Sequence, residues 1–233
     1  MTTTATAPAA PFAPRDGDLS ARMRLLGLTE LPQPPAGGSS VLARVRAVCP
    51  RRALSWTEAE RIAERQAGIL RRELGPQAPA LPTSALLDLP FLSVTHRDGF
   101  PTSGMALKTS LGWVVVIKGD EPTVRQRYSL AHEIKHIIDD ELMAELPAGL
   151  YRATKLYSAQ ERAERVADRF AAALLMPKPL ILRDWSDRLQ DIPVLARRYN
   201  VSRLAMEIRL RQLGLLQATP RCAPATKAIT GDR

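Results

Sequence analysis

The chain has 233 residues, 45% of them hydrophobic, and a formal net charge of +9. That suffices for one fair core plus a small second unit, and no run approaches the roughly eighteen apolar residues of a membrane span. The opening MTTTATAPAAPFAPRDGD lacks the basic start and continuous apolar stretch of a signal peptide, and Cys49 and Cys222 fall outside any disulfide framework or metal spacing, so a cytoplasmic protein is expected.

In chain order, residues 1 to about 40 are rich in Thr, Ala, Pro and Gly, with PQPPAGGSS at 32–40 the clearest low-complexity piece. An extension without fixed structure is expected over 1–50. A helix is predicted over 56–74, where Ser55 with Glu58, or Thr57 with Glu60, has capping-box spacing, and Gly75-Pro76 stops it. From 85 to 118 the period changes to two. FLSVTH (91–96), GMALKT (104–109) and LGWVVVIK (111–118) read as a small antiparallel sheet.

The next helix carries HEIKH, residues His132 to His136, which uses two of the chain's three histidines. On a helix, i and i+4 lie one above the other, so both imidazoles can hold one divalent metal, and Glu133 sits close enough to reach a water held there. A chance pair of surface histidines is the competing reading. Apolar residues at 130, 131, 134, 137 and 138 weaken it, because they mark a largely buried helix where unpartnered polar groups are costly.

A third ligand is expected on another element. Residues 158–177 form a helical pattern ending at Pro177, with Glu164 and Asp168 on one face. Alone, they read as surface charges paired with Arg162, Arg165 and Arg169. After an H-E-x-x-H helix, Glu164 is favoured as the ligand and Asp168 as the acceptor that orients a ligand histidine. Tyr151 and Tyr157, in the connection between these helices, are the candidate oxyanion donors.

These residues carry a resemblance. RQRYSLAHEIKHIID (125–139) followed by ERVADRFAAALLMP (164–177) resembles the ImmA/IrrE family of metallopeptidases, which pairs R-x-R-F/Y-S/T-L-A-H-E-x-x-H with E-x-x-A-N/D-x-F-A-x-x-L-L-M-P. With the preceding strand and the ending at 195–216, it covers about residues 56–216. The resemblance implies a gluzincin-like core in which His132, His136 and Glu164 bind zinc and Glu133 is the general base. It also implies a regulatory endopeptidase that cuts a transcriptional repressor of helix-turn-helix type. Lys135, where the family often has Gly, is a non-ligand position. Manganese suits the same donors as zinc. In zinc peptidases of similar build an edge strand near the metal pairs with the substrate main chain. The pattern does not single out which strand does so here.

In the last third, Asp191-Ile192-Pro193 starts one helix, Asn200 suits a left-handed end, and Ser202 caps another carrying Arg203, Arg209 and Arg211. Residues 178–233 hold eleven Lys or Arg against five Asp or Glu, a net of +6. Direct DNA contact through these basic helices is thinkable. Docking a DNA-binding repressor as substrate fits at least as well. The fold expected is α+β: a zincin-like peptidase domain over 51–180, a helix-turn-helix-like all-α unit over 181–217, and a flexible tail over 218–233. The competing function is a metal-binding regulator that does not cut proteins and binds DNA or a partner through the basic helices.

Overall fold

The computed structural model describes residues 39–75, 78–110, 112–146 and 149–216. The flexible-tail segment and residues 1–38 lie outside them. Residues 39–50, expected within the unstructured extension, instead begin with helix α1, Ser39–Arg46. Leu42, Val45 and Cys49 form one buried stripe, too short to stand out beside the adjoining Pro- and Gly-rich run. Arg46 fastens α1 by donating to the carbonyls of Ile137 and Ile138 at 2.8 and 2.9 Å.

Helix α2, Trp56–Glu73, starts at the Ser55–Glu58 capping box, one of the two spacings predicted. The Ser55 hydroxyl accepts from the Glu58 amide, and the Glu58 carboxylate from the Ser55 amide. It ends at Leu74, with Gly75 at φ 101, where a side chain would be strained. The five-residue α3, Thr83–Leu87, then leads into the sheet.

Strands β1 (Leu92–Arg97), β2 (Gly104–Thr109) and β3 (Gly112–Lys118) pair in the order β1-β3-β2. β2 and β3 are antiparallel, as expected, but β1 runs parallel to β3, so the sheet is mixed. Burial explains the arrangement. Val114 to Ile117 are at most 1% exposed, and a strand so apolar belongs in the centre rather than on an edge. The tight β2–β3 connection leaves one edge of β3 open, and β1 fills it.

Helix α4, Thr123–Glu145, crosses this sheet against β2 and β3, and α5, Ala159–Leu175, lies beside it. A second capping box, Ser158 with Glu161, starts α5. α5 also lies along α2, where buried Ala59, Ala63 and Ala67 meet a helix with buried Ala163, Ala167 and Ala171. Small side chains at i and i+4 spacing let two axes come close.

Three helices follow: α6 (Lys178–Ser186), α7 (Ile192–Tyr199) and α8 (Arg203–Gln212). Their caps fall where predicted. Asp191 accepts from Val194, Asn200 is left-handed at φ 50, and Ser202 accepts from Ala205. The expected boundary near residue 180 nevertheless crosses one continuous core, because Leu195, Tyr199, Met206 and Leu210 join the cluster formed by α2, α4 and α5. Arg209, counted in sequence among the charges of the basic C-terminal helices, is 1% exposed. It donates to the Met176 carbonyl at 3.1 Å and to Glu64 at 2.8 Å, latching α8 to α5 and α2. No described helix is long and apolar enough to cross a membrane.

Candidate metal centre

The two histidines of α4 are one turn apart, and their Nε2 atoms meet at 3.0 Å. Glu164 reaches them from α5, with Oε2 3.2 Å from His132 Nε2 and Oε1 3.7 Å from His136 Nε2. The possible ligand atoms of these three residues all lie within 4.8 Å of one another. Zinc–nitrogen and zinc–oxygen bonds of about 2.0–2.1 Å place neighbouring tetrahedral ligands about 3.3 Å apart. The three separations bracket that value, so two imidazoles and a carboxylate fit a zinc-sized divalent cation. Side-chain exposures of 17%, 12% and 22% leave the cluster open on one side.

Its surroundings orient these donors. Asp168, one turn after Glu164, lies 3.0 Å from His132 Nδ1, which turns the other ring nitrogen, Nε2, toward Glu164. Tyr128, a turn before His132, donates to the Asp168 carbonyl at 3.0 Å and ties the two helices at this level. Gln160 donates to Glu164 Oε1 at 2.9 Å. Sequence reasoning missed Gln160, although its i, i+4 spacing from Glu164 was a usable signal.

The electrostatics follow from these contacts. Burial disfavours a charge on His132, but its hydrogen bonds to Asp168 and Glu164, with the Glu133 carboxylate nearby, outweigh burial and push its pKa up to about 10. Burial would raise the Glu164 carboxyl, yet the two imidazoles hold it well below the usual carboxylate range. A cation bound here takes over what the proton on His132 does in its absence, and must displace that proton to bind.

Glu133 points elsewhere on α4. Its Oε2 accepts the backbone N–H of Ala106, on edge strand β2, at 3.0 Å. The base expected from sequence thus lies between the histidine pair and the sheet edge.

The two tyrosines fare differently. Tyr151 is 2% exposed, and its hydroxyl donates to Asp139, which also accepts the buried Lys135 ammonium. It therefore has no proton to offer an oxyanion, contrary to expectation. Burial and the Asp139 carboxylate also push its pKa well up. The ring of Tyr157 lies 4.1 Å from the Arg165 guanidinium carbon, next to Glu164 in sequence. No hydrogen bond joins its hydroxyl to the His–Glu cluster among the described residues.

Compared with known proteins, the chain matches the model of a peptidase family, described as the IrrE N-terminal-like domain, over residues 91–211, just over half its length. The match runs from the start of the sheet into α8, so the last three helices fall within it. No curated protein matches. Among solved structures, a Mycobacterium tuberculosis transcriptional regulator is similar in fold, with a TM-score of 0.50 and 19% identity over 77% of this chain and 53% of that one. The chain thus spans about half the length of that protein.

Proposed function

The chain belongs to the IrrE N-terminal-like domain family of peptidases, and from that premise we propose that it is a zinc-dependent regulatory endopeptidase whose substrate is a helix-turn-helix repressor. The observation that carries this reading is the convergence of His132, His136 and Glu164, with Glu133 beside them on α4. Zinc at such a site lowers the pKa of water and polarises the scissile carbonyl, and manganese in the same donors would serve similarly.

The remaining work falls to the chain's own groups. His132 and His136 offer Nε2, Glu164 offers its carboxylate, and Asp168 fixes the tautomer of His132. Glu133 removes a proton from the attacking water and later delivers it to the leaving amine. An extended peptide has an edge to lie along, because β2 is the edge strand that reaches Glu133 and its outer side has no partner strand among the described residues.

The C-terminal helices suit a protein partner better than DNA. Of the three arginines of α8, Arg209 is internal and Arg211 pairs with Glu207 at 2.5 Å. Leu204 and Ile208, one turn apart, are 64% and 44% exposed, an apolar strip that favours protein over phosphate. The test is cleavage of a purified helix-turn-helix repressor by zinc-loaded protein, any such repressor encoded in a neighbouring reading frame being tried first. The wild type is expected to cut it and Glu133→Gln to bind metal without cutting. A Glu133→Gln variant that cleaves as fast as wild type would refute the mechanism, and a retained band in a low-salt gel shift would revive the DNA-binding reading.

A further inference from the structure

The mechanism above does not account for the hold that strand β2 has on Glu133. Two contacts define it. The Ala106 N–H donates to Glu133 Oε2 at 3.0 Å. At Gly104, a β-carbon would stand 3.1 Å from Glu133 Cγ and 3.3 Å from Oε1. The Glu133 side chain therefore lies flat against the strand, one oxygen bonded and the other over Gly104, where a β-carbon would make a tight approach.

The direction of the Ala106 amide follows from the pleat. Lys118 donates to the Ser103 carbonyl at 3.1 Å, so Ser103 faces β3. Residues two apart along a strand point the same way, which turns 105, 107 and 109 toward β3 and 104, 106 and 108 toward the open edge. The Ala106 N–H is thus free of the sheet ladder. Glu133 takes it at the place where a substrate strand would otherwise look for a donor.

We infer that Ala106 and Gly104 are positioning residues for the general base: the Ala106 amide anchors Oε2, and the missing side chain at Gly104 leaves Oε1 free to take a proton from water. This rests on the peptidase reading. In the proton transfer, an O–H bond of the water breaks, its electron pair stays on the water oxygen, and the proton passes to Oε1 while Oε2 keeps its bond to Ala106. A substrate strand then pairs with β2 without using the Ala106 N–H.

The first test needs no activity. Amide hydrogen exchange at Ala106 in the full chain is compared between wild type and Glu133→Ala. Loss of the acceptor should speed exchange at least about tenfold, since an outward edge amide has no other partner. Equal rates would overturn the inference even in a protein that cleaves nothing. The second test uses Ala106→Pro, which removes the donor without breaking a ladder bond, and Gly104→Ala, whose new methyl crowds Glu133. Both should keep the wild-type metal content and lower kcat by about tenfold or more with KM within about twofold. A raised KM at unchanged kcat would assign the Ala106 amide to substrate instead. If the wild type cleaves no repressor while the exchange result holds, the peptidase reading fails and the contact between β2 and Glu133 stands.

Discussion

Helix α4 carries two polar clusters less than two turns apart, and they are built on opposite principles. Lys135, Asp139 and Tyr151 form a closed set, in which the ammonium and the hydroxyl both meet one carboxylate and the three are 1%, 5% and 2% exposed. His132, His136 and Glu164 form an open set, partly exposed, with their possible ligand atoms within 4.8 Å of one another. A closed set satisfies its own charges and stabilises a packing arrangement. An open set is satisfied by a cation, or less well by a proton, and is therefore able to bind. Lys135, between the two histidines in sequence, belongs to the closed set.

Substitutions that separate these roles sharpen the contrast. Glu133→Gln should lower the cleavage rate by about 10²–10⁴-fold while leaving metal content and unfolding midpoint near wild type, as measured by steady-state kinetics and thermal melts. Loss of metal along with activity would show that Glu133 belongs to the binding set. Lys135→Met should do the reverse. It strands the Asp139 carboxylate in the core and should cost about 3–5 kcal/mol in urea unfolding, with metal content per folded chain retained.

Asp168→Ala acts on the open set from its edge. Removing the acceptor for His132 should weaken zinc binding by about 10–100-fold, toward the lower end because the Asp168 side chain is 58% exposed, as read by competition with a chelator. Unchanged affinity would make Asp168 an ordinary surface charge.

A gentler effect concerns pH. In metal-free protein the His132 pKa is raised from 6.5 to about 10, so its stabilising contribution is complete below 6.5 and fades as pH rises toward 10. Glu164 is depressed from 4.5, so its contribution is complete above 4.5 and fades as pH falls below it. Melting curves of metal-free protein should show this cluster contributing most between 4.5 and 6.5. Zinc binding at pH 7 should release a proton, seen by calorimetry in buffers of different ionisation heat.

How much of this was legible in sequence depended on distance along the chain. The caps at Ser55, Asp191, Asn200 and Ser202 were legible because a cap is made by residues a few positions apart. His132 and His136 were legible for the same reason, and Glu164 only in their company, since its one-turn spacing to Asp168 reads alone as paired surface charge. The parallel pairing of β1 with β3 was not, since it depends on which strand the whole fold buries. The burial of Arg209 was not legible because nothing near it in sequence shows that its partners Met176 and Glu64 lie 33 and 145 residues away. Tyr151 was misplaced because proximity to the metal helix in sequence says nothing about which face of that helix it meets. The hold on Glu133 was invisible because its donor is a backbone amide, which no side-chain pattern reveals.

The contrast along α4 is tested most directly by metal stoichiometry in purified, zinc-loaded protein, comparing wild type, Glu164→Ala and Lys135→Met by elemental analysis. One equivalent per chain in wild type and in folded Lys135→Met, with a large loss in Glu164→Ala, is the result the open-site account predicts. Full zinc in Glu164→Ala, or equal loss in both variants, would contradict it.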